Sequence, residues 1–215
     1  MDFGKAPERF GNILPKNSKH VDWNNPNWEF NKQGTMPRGK GNNTTVKAYG
    51  DGRIHLEFRF DPSDKPEWKG QLYGNSGILL MSAYEMQVVN SFQNPTFADG
   101  TCGAIYGQHP PLVNASRKPG EWQSYDILMK APIFRSDGKL KEPLRVTAFH
   151  NGVLIHDDVW VYGEVGGPYK KHGKRPLMIQ DHKGTGVSFR NLWIIEDFPY
   201  DINLPLFRNT FSSQA

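Results

Sequence analysis

The stretch Arg53-Ile54-His55-Leu56-Glu57-Phe58-Arg59-Phe60 alternates apolar and polar residues without a break. Successive side chains of a β-strand point to opposite faces, so this pattern predicts a strand whose four apolar residues face a core. Its polar residues, His55, Glu57 and Arg59, share the other face, where they either meet solvent or line a groove. The stretch therefore predicts one strand of a sheet with a buried side.

Further strands follow along the chain, each bounded by Gly, Pro, Asn or Asp. Asn151-Gly152 separates two of them and is a strong hairpin signal. No long helical period and no internal repeat is visible, so the pattern predicts an all-β sandwich or jelly roll of antiparallel sheets. The predicted segments are Ser76–Ser82, Tyr84–Asn90, Gly103–Tyr106, Gln123–Lys130, Leu144–His150, Val153–Ile155, Leu177–Gln180 and Val187–Glu196.

The composition agrees with this class. The chain has 215 residues, of which 37% are hydrophobic and 13% aromatic, with 22 Gly and 16 Pro. That length suits one well-buried core, and the glycines and prolines suit many turns. We expect a single sandwich domain over residues 28–197, preceded by an irregular lead-in over 1–27 and followed by a C-terminal extension over 198–215.

Several classes of protein are disfavoured. The net charge of +4 is spread along the chain, so nucleic-acid binding is not indicated. One cysteine, Cys102, excludes an intrachain disulfide. No apolar run approaches the roughly 20 residues of a membrane span, so membrane insertion is not expected. The first residues lack the apolar segment of a signal peptide, so the protein is either cytoplasmic or has lost its signal.

The segment Tyr84-Glu85-Met86-Gln87-Val88-Val89-Asn90-Ser91 is the candidate functional strand. Alternation places Glu85 and Gln87 on one face, and a carboxylate beside an amide is unusual for ordinary core. The pair either lines the solvent-exposed face of an antiparallel sheet or forms the floor of a sugar site.

Five ordered strings carry a resemblance to a known family. They are Gly74-Asn75-Ser76-Gly77-Ile78, Tyr84-Glu85-x-Gln87-Val88, Cys102-Gly103-Ala104-Ile105-Tyr106-Gly107, Gly120-Glu121-Trp122-Gln123-x-Tyr125-Asp126 and Gln180-Asp181-His182-x-Gly184. With the closing strand Phe189-Arg190-Asn191-Leu192-Trp193-Ile194, they resemble the 3-keto-disaccharide hydrolase domain family from about Trp28 to Ile195.

The resemblance implies a concanavalin-like jelly-roll sandwich with a carbohydrate-binding groove on a concave sheet. Family members are often exported, which favours a periplasmic or secreted protein with its signal removed. The related laminarinase-type glucanases carry Glu-x-Asp-x-x-Glu, whereas the similar positions here hold Glu85, Gln87 and Asn90. A retaining glycosidase needs two carboxyl groups, so its mechanism is disfavoured.

A 3-keto-glycoside needs only one base, because the ketone acidifies the C2 proton and the C1 substituent then leaves by elimination. The resemblance implies an enzyme of this kind, a hydrolase or a lyase, with Glu85 or His182 as the base. The expected substrate contacts are Gln87, Tyr106, His109, Gln180, Arg59 and Arg190.

Three alternatives stay open at this stage. A divalent metal could assist at C3 through some of Glu85, Asp99, His109 and His182, although their spacing gives no metal signature. The same sandwich also serves non-catalytic carbohydrate-binding modules. A laminarinase-like glycosidase requires a loop carboxylate such as Asp99 to supply the missing acid.

Overall fold

The computed structural model describes residues 23–28, 31–32, 35–37, 39–63, 67, 69–182, 186–198 and 200. Most of the predicted lead-in, up to residue 22, and most of the predicted C-terminal extension, from residue 201, lie outside the described residues. The predicted limits of the domain therefore stay predictions.

The described residues form twelve strands and two short 3-10 turns, Gly70–Leu72 and Ala98–Gly100, with no α-helix among them. The strands are β1 Met36–Pro37, β2 Asn43–Tyr49, β3 Gly52–Phe60, β4 Asn75–Leu80, β5 Tyr84–Val89, β6 Gln123–Lys130, β7 Ile133–Phe134, β8 Leu140–Glu142, β9 Arg145–His150, β10 Val153–Trp160, β11 Arg175–Ile179 and β12 Val187–Glu196.

Two antiparallel sheets make the sandwich. The larger has six strands in the order β1-β12-β3-β6-β9-β10, and the smaller has four in the order β2-β11-β4-β5. A separate hairpin pairs β7 with β8. Many neighbours in a sheet are distant in sequence, as in a jelly roll, and the predicted all-β sandwich is confirmed.

The core lies between the inner faces of the two sheets. The larger sheet contributes the apolar residues of β3, all of them fully buried, together with Tyr125 and Ile127 of β6. The smaller sheet contributes alternate residues of β4, β5 and β11, namely Ile78, Leu80, Tyr84, Met86, Val88, Leu177 and Ile179. Residues one position along these strands therefore point to the outer face.

Most predicted strands are present, and two differ in an informative way. The strand predicted over Val153–Ile155 continues to Trp160. Register shifts after Leu154 and after His156 interrupt the alternation of side chains, so the sequence pattern ends before the strand does. The predicted strand Gly103–Tyr106 is reduced to single bridges at Ile105, between two glycines with positive φ. No helix among the described residues has the length and apolar character needed to cross a membrane.

The hairpin predicted at Asn151-Gly152 joins β9 to β10. Both residues have positive φ, 53° and 79°, as the tight turn requires. The Asn151 side chain also donates to the Ala115 carbonyl at 2.8 Å and accepts from the Ser124 amide at 3.0 Å. The turn thus fastens β6 and the preceding loop to the hairpin.

We expect Asn151→Ala to lower the free energy of unfolding by about 2 to 3 kcal/mol. The variant loses two side-chain hydrogen bonds, and alanine has no polar side chain to offset the steric cost of the left-handed backbone conformation. Asn151→Gly keeps the backbone conformation accessible and should cost less. Urea unfolding of both variants tests this; an Ala variant as stable as the wild type would contradict it.

Candidate active site

The Glu85 face is the outer side of the four-stranded sheet, and it comprises Gly77, Leu79, Glu85, Gln87 and Met178. Register aligns these residues in two rows across the strands. Glu85 pairs with Leu79, which pairs with Met178, and Gln87 pairs with Gly77. The predicted pair Glu85 and Gln87 therefore shares one face of a sheet.

Glu85 is buried, and no described residue gives it a charged partner. Only 7% of its surface is exposed, and no ion pair or side-chain hydrogen bond joins it to another described residue. Burial disfavours the charged carboxylate and raises the pKa of Glu85 to about 7. A carboxyl with this pKa is divided between its acid and base forms near neutrality.

Gly77 makes room for the Glu85 carboxyl. A Cβ placed on Gly77 would lie 2.3 Å from Glu85 Oε1, which is far inside van der Waals contact. Glycine in a strand interior often marks such a close approach. The carboxyl therefore lies over a bare strip of backbone in β4.

Gln87 is fixed by the protein itself. It is 1% exposed, and its Nε2 donates to Gln71 Oε1 at 3.0 Å. Gln71 Nε2 in turn donates to Thr96 Oγ1 and to the Gly100 carbonyl, both at 2.7 Å. Gln87 therefore anchors the loop that follows β5, and its side-chain amide is already hydrogen-bonded to the protein.

A hairpin over residues 103–109 extends the sheet beyond β5. The Tyr106 amide donates to the Glu85 carbonyl at 3.0 Å, and Ile105 bridges Met86. Because Ile105 shares the core face with Met86, its neighbour Tyr106 lies on the Glu85 side. The structure thus brings Tyr106 to the side of Glu85.

His109 points elsewhere. It bridges Ile105, whose side chain is in the core, and its Nε2 lies 2.8 Å from the Trp160 carbonyl of the larger sheet. No hydrogen bond or ion pair connects His109 with Glu85 in the described part of the chain. The expected substrate contact is therefore placed at the edge between the two sheets.

Gln180 and His182 follow the end of β11. The Gln180 amide donates to the Gly77 carbonyl at 2.9 Å, which extends the register of β11 by one residue and adds Gln180 to the row of Gly77 and Gln87. His182 is partly buried three residues beyond the last residue of β11. The structure therefore brings Gln180 to the Glu85 face.

Arg59 and Arg190 belong to the opposite side of the sandwich. They lie on β3 and β12 of the larger sheet and stack on Trp122, with their guanidinium carbons 4.9 and 4.0 Å from its ring centre. Arg190 Nε also donates to Glu57 Oε2 at 2.5 Å. The structure does not bring these expected substrate contacts to Glu85.

His55 is also buried in the larger sheet rather than exposed. Its ring stacks on Trp193 at 5.0 Å, and its Nδ1 lies 3.2 Å from Asp126 Oδ2. Burial alone would lower the pKa of His55, but the Asp126 and Glu57 carboxylates outweigh it and raise the pKa. This cluster holds paired charges, unlike the Glu85 face.

Metal ligands are not grouped among the described residues, where no three His, Cys, Asp or Glu side chains are placed to hold an ion together. Glu85, Asp99, His109 and His182 therefore do not form a ready ligand set.

Comparison with known proteins identifies the family. The chain matches the 3-keto-alpha-glucoside-1,2-lyase-like domain over residues 16–195. It belongs to this family. A crystal structure from Parabacteroides distasonis, named as a candidate glycosyl hydrolase, is 34% identical with a TM-score of 0.83, covering 89% of this chain and 85% of that one.

A second candidate glycosyl hydrolase of Parabacteroides distasonis is 18% identical with a TM-score of 0.60, and it covers 87% of this chain and 98% of its own. At that identity the likeness shows the fold alone. The curated proteins include no significant match to the chain.

Two contributors to the site are not predicted from the sequence. Gln71 lies in a turn outside every predicted strand, so no periodic pattern marks it. Gly77 sits inside a predicted strand, and a glycine there is a signal of close approach. The sequence therefore offers a clue to Gly77 but none to Gln71.

Replacing Glu85 by Gln should remove a pH-dependent cost of folding. The folded pKa is about 7 against 4.5 in the unfolded chain, so the unfolded state loses its proton first and wild-type stability falls as pH rises from about 4.5 to 7. We expect Glu85→Gln to be more stable than the wild type at pH 8, by at most about 3 kcal/mol, and to lose this advantage near pH 4.

Urea unfolding at both pH values measures the difference. Glu121→Gln, at an exposed carboxyl, is the matched control and should show no such trend. A pH-independent effect of Glu85→Gln would contradict the assigned burial of the charge.

Proposed function

We propose that the chain cleaves 3-keto-glycosides on the Glu85 face, with Glu85 as the base that removes the C2 proton. The observation that carries this proposal is a buried carboxyl with a pKa of about 7 and no counter-charge in the part of the chain that the structure describes. Membership of the 3-keto-alpha-glucoside-1,2-lyase-like family and the 34% identical relative support a carbohydrate-active, glycosidase-like function.

The reaction begins with removal of the proton from C2. The C3 ketone acidifies the C2–H bond, Glu85 takes this proton, and the electron pair forms an enolate on the C3 oxygen. When the ketone re-forms, the pair makes a C1=C2 bond, and the C1–O bond breaks with its electrons on the leaving oxygen, which takes a proton. Water can then add at C1 while C2 regains a proton, which completes net hydrolysis.

Other residues on or next to the Glu85 face would supply hydrogen bonds. Gln180 lies in the row beside Gly77, where its backbone amide is already bonded, and its side-chain amide is suited to donate to the C3 oxygen where charge develops. Tyr106, next to Glu85, and His182, after β11, are the candidates to protonate the leaving oxygen. Gln87 would act indirectly by fixing the loop that Gln71 holds.

The decisive experiment compares p-nitrophenyl α-glucoside with its 3-keto derivative. We expect the protein to turn over the keto compound. Its kcat/KM should rise with pH as Glu85 becomes ionised, with a midpoint near pH 7 and a plateau above it. Glu85→Gln should lower kcat/KM by about 10² to 10⁴, and His182→Ala should lower it as well. Glu121→Gln is the matched control.

Turnover of the unoxidised glycoside alone would sink the proposal, as would full activity of Glu85→Gln. Binding of both compounds without turnover, also with added divalent metal, would instead identify a non-catalytic carbohydrate-binding module.

Gly77→Ala provides a second test because it displaces the Glu85 carboxyl without changing any ionisable group. We expect kcat/KM for the keto substrate to fall by about 10- to 100-fold, since misplacing a reacting group by about 1 Å costs that much. Gly173→Ala is a matched control, because a Cβ there meets nothing within 4 Å. Equal activity of the two variants would show that the position of Glu85 is unimportant.

A further inference from the structure

The segment 161–165, which follows β10, borders one end of the Glu85 face and is called the wall. The Val165 amide donates to the Ala83 carbonyl at 2.8 Å, and Gln108 Nε2 donates to the Gly163 carbonyl at 3.1 Å. Ala83 precedes Glu85 by two residues, and Gln108 follows Tyr106 by two. Both anchors therefore lie at the end of the face where Glu85 and Tyr106 meet.

Tyr162 projects from this wall into solvent. It is 70% exposed, which with Leu112 is the largest exposure among the described large hydrophobic residues. Its backbone is nevertheless fixed, because its amide donates to Gln108 Oε1 at 2.7 Å. An exposed aromatic ring on an anchored backbone is a surface for a partner rather than a part of the core.

His109 supports the Tyr162 ring from one side. The two ring centres are 5.1 Å apart with planes inclined by 37°, and His109 Nε2 is held at the Trp160 carbonyl, 2.8 Å away. The ring of Tyr162 is thus oriented by a neighbour, while most of its surface stays open. A pre-oriented aromatic ring loses little conformational entropy when a ligand stacks on it.

We propose that Tyr162 is the stacking surface for the group attached to C1 of the bound sugar, and that this group is a ring, either a second sugar or an aryl aglycone. This inference rests on the proposed function for its placement of the reacting sugar over Glu85. Ala83, which holds Val165, lies two residues of strand from Glu85, about 7 Å, so the segment that carries Tyr162 adjoins the end of the face over which the C1 substituent would extend. His109 then acts as a positioning residue for Tyr162.

The chemistry of the ring explains the choice of ligand. A pyranose presents an apolar C–H face and an aryl group presents a π-face, and both stack on tyrosine, whereas a methyl group offers almost no area. Tyr162 carries a hydroxyl that can also bond a sugar hydroxyl. The wall therefore favours a ring-bearing leaving group over a small alkyl one.

The test measures equilibrium binding by calorimetry in the Glu85→Gln chain, with and without Tyr162→Ala or Tyr162→Phe. The probes are the 3-keto forms of methyl α-glucoside, phenyl α-glucoside and an α-1,2-linked glucose disaccharide. We expect the phenyl and disaccharide probes to bind more tightly than the methyl probe, and Tyr162→Ala to reduce this preference by about 3- to 10-fold. Tyr162→Phe should keep the preference for the phenyl probe.

Comparison of the phenyl probe with the disaccharide probe distinguishes an aryl leaving group from a sugar leaving group. Loss of preference for the disaccharide alone in Tyr162→Phe would assign the hydroxyl to sugar recognition and support a saccharide leaving group. Val153→Ala, at an exposed residue at the opposite end of β10, is the control and should leave the preference intact.

A preference that survives Tyr162→Ala would overturn the inference, as would tighter binding of the methyl probe. Absence of turnover by the wild-type chain would count against the proposed function alone, because the binding comparison does not require catalysis. Absence of binding by all three probes would overturn both.

Discussion

The burial of the Glu85 carboxyl without a counter-charge from any described residue is the constraint on which the candidate site depends. Removing a carboxylate from water is costly, and a buried acid usually responds by retaining its proton or by acquiring a basic partner. Glu85 takes the first course, with a pKa of about 7. All residues of β4 and β5 are buried, so the Glu85 carboxyl lies in a well-packed part of the sandwich, whose stability offsets the free energy needed to ionise it there.

The two outer faces of the sandwich differ in whether their described carboxylates have cationic partners. The larger sheet pairs its carboxylates with arginines, as in Arg53 with Asp126 and Arg190 with Glu57. The nearby His55 ring, with hydrogen bonds from the Arg190 guanidinium and the Asn191 side chain, overcomes the effect of burial and lowers the pKa of Glu57. The same partner beside Glu85 would abolish its proton affinity near neutrality. The separation of Arg59 and Arg190 from Glu85 is therefore consistent with a base on the smaller sheet.

The alternation of apolar residues was sufficient to predict β3, β5, β6 and β12, because each has one side in a continuous core. Alternation does not reveal β2, whose inward residues include Asn43 and Thr45. Contacts distant in sequence hold these side chains: Asn43 Oδ1 accepts from the Asn25 amide and Thr45 Oγ1 accepts from the Leu177 amide. Placement on a face follows from period two, so Glu85 and Gln87 could be paired from sequence.

The assignment of a strand to one sheet or the other could not be derived in that way. Arg59 and Arg190 have the right alternation for a groove, but the strand order places them on the other sheet. The burial of His55 depends on Trp193, which is distant in sequence, and the anchoring of Gln87 depends on Gln71 in an irregular turn. Sequence periodicity specifies which residues share a face, whereas such contacts arise only from tertiary packing.

The charge state of Glu85 also bears on the type of reaction. A retaining glycosidase requires a second carboxyl about 5 to 5.5 Å away. A second carboxylate at that distance would raise the pKa of Glu85 by repulsion, yet among the described residues burial is the cause of its shift and no neighbouring carboxylate contributes. Asn90, at the position of the second glucanase acid, instead accepts a hydrogen bond from the Phe92 amide at 3.2 Å and stabilises a turn. A lone carboxyl of this kind suits proton removal from an acidified carbon, where one base begins the reaction and the substrate's own ketone accepts the charge.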